Sequence, residues 1–271
     1  MGAEVGIIVP SYNQGTYIER ALQSIMANKR NADIDIAVMD GGSHDDSVQI
    51  IRKYEKDIRV WRSEPDGGQA AAINKGIGYM PDCQYYMWLN SDDVYESDTV
   101  IRDILEFARN GKYDVCYGKS HFIDENDNVI GEYPVEEFSE KNLGRRCYLS
   151  QPSVMFSRKA YEMTGPINES LKMCLDYEYW IRLAPKYTFG YIEKYIGATR
   201  MYGGTKTANM QQTHLAEAIN ILNEYYGNVP MEWIVTKILA DHPDSLLRYI
   251  PKRVLMVIMR PLKKKVLRQV L

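Results

Sequence analysis

The chain has 271 residues with 45% hydrophobic and 25% charged side chains, enough for one generous α/β domain and a sizeable core. Four scattered cysteines (Cys83, Cys116, Cys147, Cys174) form no C-x-x-C pair, so they read as reduced thiols rather than a disulfide frame or zinc site. The net charge is −3, yet residues 245–271 hold eight Lys/Arg and no Asp or Glu; with +8 there, the rest of the chain carries −11.

The strand-like run Val5–Pro10 begins almost at once, with no basic segment and long apolar stretch before it, so a signal peptide is not expected. Further strands are predicted at Ile34–Asp40, Ile58–Arg62 and Tyr85–Asn90. Helices are predicted between them at Thr16–Ala27, Asp46–Tyr54 and Gln69–Gly78, where apolar residues such as Ile18, Ala21, Leu22 and Ile25 recur on one face. Another helix is expected over Thr99–Asn110, with Ser97 or Asp98 as its N-cap. Alternating strands and helices imply βαβ units and a mostly parallel sheet. The second half changes character. A hairpin is predicted over His121–Pro134, strands at Ser153–Ser157, Thr188–Ile192 and Tyr195–Tyr202, and helices at Asp176–Ala184 and Met210–Tyr226. Beyond Pro230, helices broken at Pro243, Pro251 and Pro261 are expected. No run is long and apolar enough to span a bilayer.

In an open parallel sheet, ligands bind beyond the carboxyl ends of the strands. Here those ends read Pro10-Ser11-Tyr12-Asn13, then Asp40-Gly41-Gly42-Ser43, Asp66-Gly67-Gly68-Gln69 and Asn90-Ser91-Asp92-Asp93. No G-x-G-x-x-G loop follows the first strand, which argues against a dinucleotide site. An acidic edge repels a bare pyrophosphate but suits one bridged by a divalent cation with hard oxygen ligands. Taken singly, each segment could be a turn or a helix cap. All four on one edge point to a cation-dependent nucleotide cleft. The histidines show no H-x-x-x-H or H-E-x-x-H spacing, so zinc is not expected.

These four segments, with Ser150-Gln151-Pro152-Ser153 and Leu175-Asp176-Tyr177-Glu178-Tyr179-Trp180, resemble family 2 inverting glycosyltransferases over roughly residues 4–207. The resemblance implies a GT-A fold: a Rossmann-like, mostly parallel sheet with helices on both faces, followed by a C-terminal helical extension. Residues 1–118 would form the nucleotide-sugar half, 119–207 the acceptor half, and 208–271 the basic amphipathic extension. By position, Pro10, Tyr12, Asn13 and Asp40 would hold the nucleoside, and Asp66, Gln69, Asn74, Asn90, Ser91 and Lys206 would line the donor cleft. Asn90-Ser91-Asp92 fills the family's D-x-D slot with Asn at its first acid, leaving Asp92, with Asp93 second, to bind Mn²⁺ or Mg²⁺. Asp176 falls at the position of the catalytic base, and Gln151 and Trp180 on the acceptor side. Tyr202 replaces the histidine of the family's Arg-x-His segment, which puts a histidine metal ligand there in doubt.

The implied function is sugar transfer from a nucleotide diphosphate donor, uridine-linked by expectation, to a glycan or lipid-linked glycan hydroxyl, as in cell-surface polysaccharide synthesis. A non-catalytic nucleotide-sugar-binding module and a nucleotide-sugar hydrolase are the alternatives. The basic segment 246–271 suits peripheral contact with an anionic membrane from the cytoplasmic side, although a helix packed on the domain fits the same residues. The acidic strand ends argue against a nucleic-acid partner.

Overall fold

The structure is a computed structural model and describes residues 2–241. The expectations for the basic segment 246–271, and for helices broken at Pro243, Pro251 and Pro261, lie outside the described residues.

The elements run β1 (Val5–Ser11), α1 (Ile18–Lys29), β2 (Ile34–Asp40), α2 (Ser47–Lys53), β3 (Val60–Ser63), α3 (Gln69–Gly78), β4 (Tyr85–Trp88), β5 (Val94–Tyr95) and α4 (Val100–Gly111). They continue through β6 (Val115–Ile123), β7 (Val129–Glu132), α5 (Glu140–Leu143), a 3₁₀ turn (Gln151–Ser153), β8 (Val154–Ser157), α6 (Arg158–Thr164), α7 (Leu175–Leu183), β9 (Phe189–Arg200), α8 (Lys206–Asn209), α9 (Gln211–Tyr226) and α10 (Met231–Asp241).

The nine strands of the described residues join one sheet in the order β3-β2-β1-β4-β8-β6-β9-β5, with β7 also paired to β6. The first four strands are parallel, as the βαβ alternation requires. Beyond β4 the sheet is mixed: β8 is antiparallel to both β4 and β6, and β9 runs parallel to β6. Every residue of β1 is buried, which marks a strand covered on both faces. Its side chains alternate between two cores. Val5, Ile7 and Val9 pack with α1, α2 and α4, whereas Ile8 packs with α3, α7 and α9. On the second face Trp88 of β4 stacks on Trp180 of α7, centroids 5.4 Å apart and planes 17° from parallel. Helix α9 buries Leu215, Ala218, Ile221 and Leu222, the last three within that same core.

Two differences from the sequence reading have local causes. Neither Ser97 nor Asp98 caps α4. Its N-cap is Thr99 with no side-chain cap bond, and the Ile101 N–H donates instead to Asn28 Oδ1, 3.1 Å away on α1. Asn28 also donates to the Ser97 carbonyl, so a tertiary contact supplies what the local sequence was expected to supply. The two strands predicted at Thr188–Ile192 and Tyr195–Tyr202 are one strand, β9. Its exposed centre, Glu193-Lys194, coincides with irregular register against β6 near Gly118 and Lys119.

Candidate active site

The loops after β1 and β2 are stitched to each other. Asn13, at φ 52°, donates its N–H to Ser43 Oγ at 2.7 Å, and its side-chain oxygen accepts from the His44 N–H at 2.9 Å. The Gly15 N–H donates to Asp45 Oδ2 at 2.8 Å. Asp40 is 2% exposed. One of its oxygens accepts from the Ser43 N–H, the Gly42 N–H and Ser63 Oγ, and the other accepts from Ser43 Oγ. Asp40 therefore holds the loop's shape, with its oxygens committed to the protein. Pro10 is buried within β1, level with Met39. Tyr12, 58% exposed, projects at the loop tip. A Cβ on Gly41 would lie 3.3 Å from both the Tyr12 ring and the Asp66 carboxylate, so these two side chains flank the same glycine.

The acidic turn after β4 is tied into a chain of amides. Lys206 Nζ donates to Gln69 Oε1 at 2.9 Å, and Gln69 Nε2 donates to Asn90 Oδ1 at 2.7 Å. Asn90 Nδ2 donates to Asp93 Oδ2 and Gln151 Oε1, and Gln151 Nε2 donates to the Trp88 carbonyl. Ser91 is buried within this turn. The structure thus brings Gln69, Asn90, Asp92, Gln151 and Lys206 together. Partial desolvation lowers the Lys206 pKa, against the pull of Asp92, Asp66 and Glu217.

Asp92 and Asp93 differ. Asp93 is buried, with one oxygen accepting from the Arg200 N–H (2.9 Å) and the other from Asn90. Burial, and then the charge of Asp92, push its pKa well above the usual carboxylate range. Asp92 is half-buried, and burial raises its pKa too, opposed by its own N–H, by its bond from Tyr202 and by the charges of Arg200 and Lys206. The Tyr202 hydroxyl donates to Asp92 Oδ2 at 3.1 Å and accepts from Gln14. Asp92 Oδ1 accepts no hydrogen bond from another residue among the described residues.

Among those residues no group of three or more His, Cys, Asp or Glu converges to hold a metal. The donor set does not suit a cation caged by protein alone. It fits an Mg²⁺- or Mn²⁺-type ion that takes one carboxylate and completes its shell with substrate phosphates and water. Asp92 is the residue that would hold it. The expected second ligand, Asp93, is spent on Arg200 and Asn90.

Arg200, which the sequence reading did not single out, organises this corner. Its guanidinium is buried and donates to the Asp92 carbonyl (2.8 Å), the Asp124 carbonyl (2.7 Å) and Asp127 Oδ1 (2.5 Å), and lies 4.9 Å from the Tyr17 ring centroid. An arginine closing the run Gly197-Ala198-Thr199 was its available signal.

Across the sheet, α7 begins at Leu175 and places Asp176 in its first turn. Burial lifts the Asp176 carboxyl to about 6, against the pull of the Tyr177 and Asp176 N–H groups. Its charge in turn disfavours ionisation of Tyr133 and Cys147, which marks them as its neighbours. Glu217 of α9 accepts the N–H groups of Lys172, Met173 and Cys174, each at 2.9 Å, and so fixes the turn that launches α7. No local sequence signal marks Glu217.

Two expected site residues face elsewhere. Trp180 is fully buried in its stack on Trp88, because the apolar face of α7 packs on the sheet rather than on an acceptor. The Asn74 amide is occupied by the α6–α7 connection, donating to the Ile167 carbonyl and Glu169 and accepting from the Ile167 N–H.

The model of Glycosyl transferase family 2 matches residues 6–163, more than half of the chain. Over 208 residues the chain is 28% identical to a chondroitin synthase and to a hyaluronan synthase of Pasteurella multocida, covering 75% of this chain and 21% of each relative. The chain therefore spans about a fifth of the length of these curated relatives. An uncharacterized glycosyltransferase of Methanocaldococcus jannaschii is 25% identical, with 71% of this chain and 69% of that one covered. Among solved structures, S. aureus TarS 1-349 in complex with UDP-GlcNAc superposes with a TM-score of 0.64 at 16% identity, over 82% of this chain and 71% of that one. The mannosyltransferase PcManGT from Pyrobaculum calidifontis, in complex with GDP-Man and Mn²⁺, gives 0.65 at 15% identity, over 96% and 80%. At these identities the structures speak to the fold, which is GT-A. With the family's segments on one strand-end edge and its model matched over most of the sheet, the chain belongs to glycosyl transferase family 2.

Proposed function

We propose that the chain transfers a sugar, with inversion, from a uridine diphosphate donor to a hydroxyl of a glycan or lipid-linked glycan acceptor. The observation that carries the reading is a division of labour between two carboxylates. Asp92 keeps one oxygen open beside Lys206, and the desolvated Asp176 is lifted to about 6. Residues 1–118 would hold the donor and 119–207 the acceptor. The ligands of the structural neighbours, UDP-GlcNAc and GDP-Man with Mn²⁺, agree with a nucleotide-sugar donor.

In this reading Asp176 accepts the acceptor hydroxyl's proton as the oxygen attacks the anomeric carbon. The bond from that carbon to the diphosphate oxygen breaks as the new bond forms on the opposite face. Tyr12 and Asp66 line the nucleoside end, and Lys206 lies at the phosphate end. A bound Mn²⁺ or Mg²⁺ shared between Asp92 and the donor phosphates would neutralise the departing diphosphate.

The test is turnover of a panel of nucleotide sugars, with and without Mn²⁺ and with and without glycan acceptors, read by mass spectrometry of the products. Acceptor-dependent release of the nucleoside diphosphate and a glycosylated product of inverted linkage are expected. Free sugar released equally without acceptor would make the chain a hydrolase, and donor binding without any turnover would make it a binding module. Undiminished Mn²⁺ dependence of donor binding in Asp92→Ala would remove Asp92 from the cation site.

A further inference from the structure

We propose that α10 is a lipid-facing helix that seats the chain on an anionic bilayer surface. A surface helix of a globular protein ordinarily turns its apolar stripe inward. In α10 the body-facing anchor is Trp233, whose Nε1 donates to the Arg145 carbonyl at 2.8 Å and whose ring meets His214 edge-on at 5.7 Å. Met231, Ile234 and Ile238 point the other way, 66%, 37% and 42% exposed. At about 100° per residue, these three fall within an arc of roughly 60°, about 100–160° from Trp233. No residue of α10 is fully buried. Of the nine large exposed apolar side chains among the described residues, three lie on this single helix, so the stripe is a local concentration and not background.

The charge pattern selects the occupant. The sequence that follows α10 carries eight Lys/Arg and no acid over residues 245–271, whereas the remainder of the chain carries −11. An anionic surface therefore attracts this end and repels the body, which orients the molecule with α10 inward. Basic residues near such a surface add favourable binding energy, and an apolar stripe adds insertion energy. A second copy of the chain is the weaker occupant. It would bring two +8 segments together, and three side chains fall far short of the roughly 1,200–2,000 Å² that a stable interface buries. The inference does not depend on the transferase reading.

The experiment is flotation of the full chain with vesicles of phosphatidylcholine alone and of phosphatidylcholine with phosphatidylglycerol, at low and high salt. Binding is expected with the anionic vesicles, is expected to weaken with salt, and is expected to fall at least about tenfold in the double variant Ile234→Glu, Ile238→Glu. Far-UV circular dichroism and donor binding of that variant should match the parent, which separates lost docking from lost folding and from any failure of the sugar-transfer reading. The proposal is overturned by no binding to anionic vesicles, by equal binding of the double variant, or by a parent dimer in sedimentation velocity that the variant abolishes. Protection of Ile234 and Ile238 from hydrogen exchange without lipid, by residues 242–271 folded back, would also overturn it.

Discussion

Asp92 and Asp176 are both carboxylates raised by burial, yet their surroundings divide them. Asp92 sits among compensating partners, the Tyr202 hydroxyl, Arg200 and Lys206, whereas Asp176 is opposed by little more than backbone N–H groups. If Asp176 is the base, turnover should rise with pH through about 6 and level off above it, because the ionised form accepts the proton. The stability effect has the opposite sign. A carboxyl raised from 3.8 to about 6 favours the folded state most when protonated, and that advantage is lost as pH rises through this window. Asp176→Asn should therefore lower turnover by about 10²–10⁴-fold while raising stability at neutral pH by about 1–3 kcal/mol. A pH–rate profile and urea melts at pH 5 and 7 check both halves. Glu217 gives a second residue-scale expectation. Glu217→Ala strips the acceptor from three N–H groups and should cost about 2–3 kcal/mol. Its effect on turnover should exceed its effect on donor KM, since it sets the start of α7 and not the donor loops. Glu217→Gln, which keeps one acceptor oxygen, should recover part of each loss.

At the scale of elements, the end of β9 works as a clamp. Arg200 fastens the Asp92–Asp93 turn to the β6–β7 hairpin through the Asp124 carbonyl and Asp127. Arg200→Ala would leave buried acceptors unpaired and should cost about 3–5 kcal/mol, with weakened donor binding, as measured by chemical denaturation and donor titration. What was legible at this scale follows from local physics. The span predicted for α3, Gln69–Gly78, is the observed one, because a run of good helix formers begins directly after two glycines. The strand-end segments were legible because a parallel sheet sends its loops to one edge. The less legible features depend on distant partners. The two-residue β5 exists through its pairing with β9, and α4 begins where Asn28 of α1 supplies an acceptor. Trp180 and Asn74 read as cleft residues because residue type and position cannot tell a cleft from a core or from a loop fastening. Asp93 reads from sequence as a second ligand behind Asp92, but the Arg200 N–H, 107 residues away, occupies it.

For the whole molecule, the strands that carry the donor loops and the helix bearing Asp176 share a core, so a ligand that ties the strand-end loops together should stabilise the entire unit. At a donor concentration about 100-fold above Kd the gain is about 2.7 kcal/mol, or a thermal shift of roughly 5–10 °C for a chain of this size. The matched donor with Mn²⁺ should produce that shift, and Asp92→Ala should lose its metal-dependent part, as read by differential scanning fluorimetry. The stacked pair Trp88 and Trp180 gives this unit an optical signature of its own. One indole belongs to the strand that leads into Asn90–Asp93, and the other to the helix that carries Asp176. Two indoles at this separation couple their strong far-ultraviolet transitions, so a paired dichroism band there should report the register between β4 and α7. Substituting either tryptophan with phenylalanine should abolish the band, which makes this stack a built-in gauge of whether a variant keeps its two chemical centres aligned.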